Sequence, residues 1–400
     1  MIDEFIGEFM FHPAPLEISG NTCSHNCCYC FANIRKECRY LDLKSFINQI
    51  NKKECKTFKD YLLKEGYPIC LSNKSDPFSE TNYIQTIEIM RQFTRIKNGL
   101  FIQTKGGKGI DETLEIIKGK PVVWYITITT LNEEIRKRIE PNAPSTEERL
   151  QLAEKLKNLG YLVIIAINPI LEEWMPFGDI DVLLARCYKI GIKHICTEAL
   201  HLNPKEVASF SQSRKNHFKQ SEIDYAVDRK NFQVYVKKVI PYIQAKGFHV
   251  MKLGMPFETN FFEDIRKAYG KIYPNQYDII NYAHKNGTGV YSFDDFYNVT
   301  VDNKPFFETP FKQVNAYIVK ASIHEWAKDE EAKKIFTLKE VLRYIWNNGK
   351  IKSSMQRNQA FRLLVDNGQI CKDEKNNVLL YFDGHIHAFE RIVERKSVLR

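Results

Sequence analysis

Short apolar runs alternate with longer amphipathic stretches through the first half of the chain. Apolar runs bounded by turn residues predict buried strands, and apolar positions spaced three and four apart predict helices. The strands are predicted over residues 16–19, 68–72, 100–104, 122–129, 161–168, 193–200 and 249–253, and helices over 81–94, 146–159, 180–189 and 224–246. This alternation is typical of a parallel sheet built from strand–helix units, so an α/β fold is predicted.

The last part of the chain has a different pattern. Thr337 and Glu340 form a capping box, which predicts the start of a helix, and a second helix is predicted over residues 353–367. Residues 369–372 and 378–382 predict a hairpin, so helix, helix and hairpin together resemble a short winged-helix module. The second helix carries residue types that contact base edges and phosphates: Gln356, Arg357, Asn358 and Arg362. The alternative is a module used for packing or protein contacts.

Composition adds the expected compartment and class of partner. Hydrophobic residues make up 44% and charged residues 27% of the 400 positions, as in ordinary globular proteins. The sequence has no apolar run near the ~20 residues that cross a bilayer and no basic region at its start, so we expect a cytoplasmic protein with reduced cysteines. The net charge of +9 permits a polyanionic partner such as DNA or RNA.

Three cysteines follow the first predicted strand at the spacing C-x3-C-x2-C: Cys23, Cys27 and Cys30. Three thiolates on a four-iron cluster leave one iron open, whereas electron-transfer clusters usually take four cysteines. The alternative is a structural zinc ion, with His25 or Cys38 as the fourth ligand. The other cysteines form no second tight cluster, and most of them are predicted to be small core residues.

Tyr29 stands directly before the last cysteine, and C-x3-C-x-aromatic-C resembles the signature of radical S-adenosylmethionine (SAM) enzymes. The run of residues 27–33 is similar to the branch of spore photoproduct lyase and the DNA repair photolyase-like proteins, and the similarity extends over about residues 12–202. The resemblance implies a partial (β/α)6 barrel, a [4Fe-4S] cluster held by the three cysteines, and SAM bound to the open iron. It also implies reductive cleavage of SAM to a 5′-deoxyadenosyl radical that abstracts hydrogen, and an electron donor such as flavodoxin or ferredoxin.

With this resemblance, three regions are expected: a core barrel over residues 1–255, an irregular α/β extension over 256–330, and the winged-helix-like module over 331–400. Ligands of such barrels gather at the carboxyl ends of the strands, and the cysteine loop follows the first strand at that end.

Polar residues follow the other predicted strands at the same end. Ser75 and Asp76 could bind ammonium and ribose groups, although Ser, Asp and Pro also make ordinary turns. By resemblance, Ser75 matches a serine that contacts SAM, and Lys105 matches a lysine that contacts the SAM carboxylate. Thr129 and Asn168 complete the predicted cofactor-binding set. The lyase also has a hydrogen-donor cysteine two residues before the serine, where this chain has Asn73, so lyase chemistry itself is not implied.

Further charged residues lie near this set. Arg138 and Glu140 are predicted to pair with each other, and Glu198 is either a ligand or the partner of a core arginine. Residues 209–220 are polar, basic and aromatic, which favours a solvated insertion over a substrate lid.

Three functions agree with the sequence. The first is a radical SAM enzyme that repairs or modifies nucleic acid. The second keeps the radical chemistry but acts on a protein, peptide or small molecule. The third is a zinc-stabilised nucleic-acid-binding regulator without catalysis.

Overall fold

A computed structural model of the chain describes residues 2–4, 14, 16–18, 20–35, 43–53, 58–72, 74–200, 202–228, 234–252, 259–269, 285–301, 304–310, 337, 339–340, 343, 370–375 and 377–382. The predicted second helix over residues 353–367 lies outside this part of the chain. So do Asn73, Cys38 and Cys55.

The main sheet has eight strands in the order of the chain, and β1 to β8 are each hydrogen-bonded to the next. The first pair, β1 and β2, is antiparallel, and all later pairs are parallel. The strands are β1 (Ile2–Glu4), β2 (Leu16–Ile18), β3 (Ile69–Leu71), β4 (Leu100–Thr104), β5 (Val122–Thr127), β6 (Leu162–Ile170), β7 (His194–Ala199) and β8 (His249–Lys252).

The fifteen helices of the described residues lie mostly between these strands. Those up to β7 are α1 (Phe31–Arg35), α2 (Leu43–Ile50), α3 (Phe58–Lys64), α4 (Tyr83–Phe93), α5 (Ile110–Ile116), α6 (Glu133–Ile139), α7 (Thr146–Asn158) and α8 (Phe177–Lys189). Those after it are α9 (Pro204–Ala208), α10 (Gln212–Lys215), α11 (Gln220–Val227), α12 (Val234–Ala245), α13 (Thr259–Tyr269), α14 (Phe293–Thr300) and α15 (Lys304–Glu308).

The predicted α/β fold is confirmed, with one parallel strand more than the six-strand barrel. The seven predicted strands correspond to β2–β8, and β1 adds an antiparallel edge. The helix predicted over residues 224–246 is instead two helices, α11 and α12. Helix α7 begins at Ser145, whose side chain forms a capping box with Glu148.

The strands β5 and β6 form the centre of the core because they are largely apolar on both faces. Every residue of β5 is buried, and Trp124 and Ile165 are fully buried. A parallel sheet covered on both faces buries such runs completely. Helix α13 packs against β5, β6 and β8, and the Tyr269 hydroxyl donates a hydrogen bond of 2.8 Å to the Leu100 carbonyl at the start of β4. It therefore lies toward the amino ends of the strands, away from the cysteine loop.

Near the end of the described chain, β9 (Gly289–Tyr291), β10 (Ile370–Lys372) and β11 (Val378–Phe382) form a small antiparallel sheet in the order β10-β11-β9. The predicted hairpin is thus confirmed, and β9 joins it. The predicted capping box is also present, since the Glu340 backbone donates to the Thr337 hydroxyl at 3.1 Å. No described helix has both the length and the apolar character needed to cross a membrane.

Candidate functional site

The cysteine loop joins β2 to α1 at the carboxyl end of the sheet. Cys30 donates its backbone N–H to the Cys27 carbonyl at 3.1 Å, which closes the turn between these two cysteines. Asn26 takes the left-handed conformation, with φ 52°, and asparagine tolerates that conformation better than most residues. Cys27 is buried, while Cys23 and Cys30 are half-buried. The loop thus directs three thiols of different exposure toward this end of the sheet.

The segment after β3 holds the first half of the loop. The Gly20 N–H donates to the Ser75 hydroxyl at 3.1 Å, and the Asn21 N–H donates to the Asn82 side chain at 3.0 Å. A Cβ on Gly20 would lie 2.7 Å from the Ser75 oxygen, so this contact requires glycine. The predicted Ser75 therefore lies against the base of the cysteine loop. Its buried hydroxyl accepts one bond there and keeps its own proton to donate.

Asp76 ties the cysteine loop to the ends of two strands. One carboxylate oxygen accepts from the Phe78 N–H at 2.9 Å and the Thr104 hydroxyl at 2.7 Å. The other accepts from the Lys105 N–H at 2.6 Å and lies 3.3 Å from His25 Nε2. Burial alone would raise the pKa of Asp76, but the charge of His25 and these hydrogen bonds outweigh it and lower the pKa. The structure thus gives Asp76 a structural role, and its predicted contact with SAM stays a prediction.

A second buried carboxylate, Glu140, follows α6. Arg149 Nη2 lies 2.5 Å from Glu140 Oε2, and both side chains are 0% exposed. Its other oxygen accepts from the Thr129 hydroxyl at 2.7 Å and from the Tyr29 hydroxyl. Burial would raise the pKa of Glu140, but the charges of Arg149 and Lys105 outweigh burial and lower it to about 2. Glu140 is therefore a buried anion that joins α7, the end of β5 and the cysteine loop.

The predicted pairing of Arg138 with Glu140 is wrong. Arg138 instead binds Glu222 through two bonds of 2.7 and 2.5 Å. Residues two apart on a helix point in different directions, so Arg138 and Glu140 leave the end of α6 on different sides. Arg149 lies next to Glu140 because α7 packs against β5. The Arg149 guanidinium also donates to the Thr127 carbonyl at the end of β5, at 3.1 Å.

Lys105 directs its ammonium into the space beside these groups. Its side chain is 15% exposed, and its Nζ lies 3.8 Å from Glu140 Oε1 and 5.7 Å from the centre of the Tyr29 ring. Burial would lower the pKa of Lys105, but the charges of Cys27 and Glu140 outweigh burial and raise it. A separation of 3.8 Å exceeds hydrogen-bond length. Within the described residues, the ammonium therefore has an ion-pair partner and donors left for an anionic ligand.

The three thiols share this environment. Burial, followed by the charge of Asp76, raises the pKa of Cys23 to about 11. Burial also raises the pKa of Cys27 well above its ordinary value, against the effect of Lys105. Across the part of the chain that is described, no three His, Cys, Asp or Glu side chains meet closely enough to hold a single metal ion. Soft thiolate ligands suit an iron–sulfur cluster, and a buried lysine beside them suits a carboxylate, so the donor set fits both predicted cofactors.

The remaining predicted residues lie at the ends of β5 and β6. Thr129 is buried and committed to Glu140, with the Tyr29 hydroxyl 3.2 Å away. Asn168 is half-buried near the hydroxyl of Tyr125, and burial together with Cys196 raises the pKa of that tyrosine well above its ordinary value. The charge of Glu198 on β7 also raises the pKa of Tyr125. The two predicted roles of Glu198, a ligand or the partner of a core arginine, both stay predictions.

The segment with α9 to α11 exposes most of residues 209–220 to solvent, as the sequence favoured, but two of its aromatic rings anchor it to the barrel. Phe210 and Phe218 are buried in a second apolar cluster with Cys28 and Trp174. Arg214 donates to the Cys28 carbonyl at 3.0 Å. The Arg138–Glu222 pair and the Trp174 N–H, which donates to Glu222 at 2.7 Å, hold the segment in place. The aromatic residues at 210 and 218 were the signal of this anchoring, because phenylalanine is among the residues most often buried.

Comparison with known proteins agrees with this site. Residues 18–173 match the family model described as the Radical SAM superfamily. This segment contains the cysteine loop, both buried carboxylates and Lys105. Residues 18–173 therefore form a radical SAM domain, as the resemblance predicted.

Individual relatives are distant. The uncharacterized protein ORF301 of Acidianus two-tailed virus is 23% identical over 195 residues, which cover 45% of this chain and 64% of the relative. The chain thus spans less than two thirds of that relative. Streptococcus suis SuiB bound to S-adenosylmethionine has a TM-score of 0.42 and 14% identity, covering 66% of this chain and 54% of SuiB. Spore photoproduct lyase complexed with dinucleoside spore photoproduct has a TM-score of 0.43 and 15% identity, covering 60% of this chain and 76% of the lyase. These low scores identify no substrate.

Proposed function

We propose that this protein is a radical SAM enzyme in which Cys23, Cys27 and Cys30 hold a [4Fe-4S] cluster. The observation that carries the proposal is a single loop of three cysteines with the half-buried Lys105 beside it, close enough that Lys105 and Cys27 shift each other's pKa, inside a radical SAM domain. When bound, the cluster and SAM supply one-electron cleavage of SAM and removal of hydrogen from a substrate.

The chain's own residues bind and orient these groups. Lys105 would bind the SAM carboxylate, because its ammonium makes an ion pair but no hydrogen bond among the described residues and its side chain is only 15% exposed. Ser75 would donate its hydroxyl proton to a polar group of SAM. Asp76 and Glu140 fix the backbone and side chain of Lys105 respectively. A site preorganised in this way excludes water without rearrangement when the ligand arrives.

The three cysteines are tested by anaerobic reconstitution with iron and sulfide. The wild-type protein should take up four irons and, once reduced and supplied with SAM, release 5′-deoxyadenosine; Cys27→Ala should do neither. The matched control is Cys187→Ala, which removes a buried cysteine on α8 away from the loop. Binding of one zinc ion in place of iron would refute the enzyme and leave the nucleic-acid-binding regulator.

The role of Lys105 is tested by SAM affinity. Loss of a charge-assisted hydrogen bond costs about 1.5–3 kcal/mol, so Lys105→Met should raise the Kd for SAM roughly 10- to 100-fold. Lys108→Met is the matched control, because Lys108 is 61% exposed and pairs with Glu80 at 2.8 Å in the same loop. Equal affinities in the two variants would refute the assignment of Lys105.

We propose nucleic acid, DNA or RNA, as the substrate class. The net charge of +9 and the predicted basic face of the module over residues 331–400 support it. Phosphate contacts make binding strongly salt-dependent, so the affinity for DNA or RNA should fall steeply between 50 and 200 mM salt, on the order of 10³-fold for about six contacts. Binding that is weak and insensitive to salt would favour a protein, peptide or small-molecule substrate. An electron donor such as flavodoxin or ferredoxin is also expected.

A further inference from the structure

Glu140 is a fully buried carboxylate reached from four separate parts of the chain. Arg149 approaches from α7 at 2.5 Å, Thr129 from the end of β5 at 2.7 Å, and Lys105 from the end of β4 at 3.8 Å. Tyr29 reaches it from the cysteine loop and stands between Cys27 and Cys30. The one carboxylate thus contacts the segments that present the thiols and the lysine.

The pair with Arg149 is held by charge. Neither Glu140 Oε2 nor Arg149 Nη2 has an aligned hydrogen-bond partner among the described residues, although they are 2.5 Å apart. The rest of the guanidinium is anchored on the protein backbone, because Nε donates to the Pro144 carbonyl at 3.0 Å. Such a pair is costly to bury, and its net contribution to stability is often close to zero, so its placement beside the cysteine loop points to a role other than stability.

We propose that Glu140 is a positioning residue that fixes Tyr29 and Lys105 and, together with Arg149, sets the net charge beside the metal centre. The inference rests on the proposed function, since it assigns roles toward a cluster held by the three cysteines. Lys105 and Arg149 supply two positive charges and Glu140 supplies one negative charge, and the side chains of Glu140 and Arg149 are fully buried. These three groups together carry one excess positive charge beside a centre that gains an electron on reduction, and Asp76 at the cysteine loop stays unchanged in every variant.

Opposite changes in this charge should have opposite effects on the centre. Positive charge near a cluster favours its reduced form and raises the reduction potential. Glu140→Gln removes a negative charge and should shift the midpoint potential upward. Arg149→Gln removes a positive charge and should shift it downward. The double variant restores the net charge and should return the potential toward the wild-type value.

The experiment is a redox titration of the reconstituted holoprotein without SAM or substrate, followed by electron paramagnetic resonance. Glu140→Asp keeps the charge and is the conservative rescue, so its potential should stay near wild type even where the shorter side chain loses Tyr29. Asp264→Asn is the matched control, because Asp264 pairs with His194 at 3.0 Å at the amino ends of the strands. It should leave the potential unchanged. Thermal unfolding of each apoprotein establishes that the variants fold.

The outcomes separate the two proposals. Shifts of opposite sign that cancel in the double variant support the role of Glu140. Shifts of the same sign, or a shift equal to that of Asp264→Asn, overturn it and leave the radical SAM function intact. If Arg149→Gln does not fold, the comparison of Glu140→Gln with Glu140→Asp decides. A midpoint potential that rises in Glu140→Gln and stays at the wild-type value in Glu140→Asp supports the role of Glu140. An equal rise in both variants overturns it. A wild-type protein that takes up no cluster overturns both proposals.

Discussion

Replacement of Asp76 by asparagine tests whether this carboxylate is built into the fold or reserved for a ligand. Its two oxygens accept from the Phe78 and Lys105 backbone N–H groups and from the Thr104 hydroxyl, and one of them lies 3.3 Å from His25 Nε2. Asparagine has one acceptor oxygen, so its amide nitrogen must take the position of the other carboxylate oxygen and face the donors that oxygen accepted from. Two buried donors then lose their acceptor, at about 1–3 kcal/mol each. We expect Asp76→Asn to lower the free energy of unfolding by roughly 2–5 kcal/mol.

The assay is urea unfolding of the apoprotein at neutral pH, followed by circular dichroism. Asp111→Asn is the matched control, because Asp111 is 81% exposed and pairs with Lys155 at 2.6 Å. It should change stability by less than about 0.5 kcal/mol. An Asp76→Asn apoprotein as stable as wild type, with SAM binding lost, would refute the structural role and restore the predicted ligand role.

The same carboxylate should make stability depend on pH. The pKa of Asp76 lies below its ordinary value of 3.8, despite burial, because His25 and the hydrogen bonds favour the charged form. Its contribution is therefore fully present above pH 3.8 and is lost as the pH falls through the lowered pKa. Acid should consequently destabilise wild type more than Asp76→Asn in that range, and equal acid sensitivity would contradict the pKa shift.

Three further changes should have measurable effects. Glu140 should also make stability depend on pH. Its contribution is complete above pH 4.5 and is lost as the pH falls toward its pKa of about 2. The acid-unfolding curve of Glu140→Gln should therefore lack this loss of stability. Glu222→Gln should lower the free energy of unfolding in urea by roughly 2–4 kcal/mol, because the partly exposed Arg138 loses its ion-pair partner. Glu173→Gln, at an exposed pair with Lys219, should lower it by less than about 0.5 kcal/mol. A Cβ on Gly107 would lie 2.0 Å from the Phe78 carbonyl oxygen, so Gly107→Ala should lower the melting temperature far more than Gly119→Ala, where no atom lies within 4 Å; equal losses would contradict the clash.

The sheet was predictable because its strands carry their burial in the sequence itself. The runs that became β5 and β6 are largely apolar on both faces, and in the described chain they lie inside the sheet with β4 and β7 on either side. The cysteine loop was predictable for a similar local reason, since three thiols within eight residues cannot separate far. The single helix predicted over residues 224–246 was wrong because Asp228 takes an extended conformation, which ends α11.

Partner choice among charged side chains was not predictable. Arg138 and Glu140 are close in sequence but bind Glu222 and Arg149, which are 84 and nine positions away. Asp76 contains no signal that distinguishes a ligand-binding carboxylate from one that accepts backbone N–H groups. The role of residues 209–220 depended on whether Phe210 and Phe218 meet Trp174, which lies far away in the chain.

The sequence alone therefore determined the alternation of strands and helices, the position of the cysteine loop after the first parallel strand, and the kind of ligand that its thiols suit. These properties follow from local periodicity, turn chemistry and side-chain chemistry, which act over a few residues. Only the tertiary structure decided that Lys105, Glu140, Arg149 and Tyr29 share one buried site, and that α9 to α11 pack behind the cysteine loop. Electrostatic pairing acts over a few ångströms of space, and chain folding alone sets which distant residues come that close.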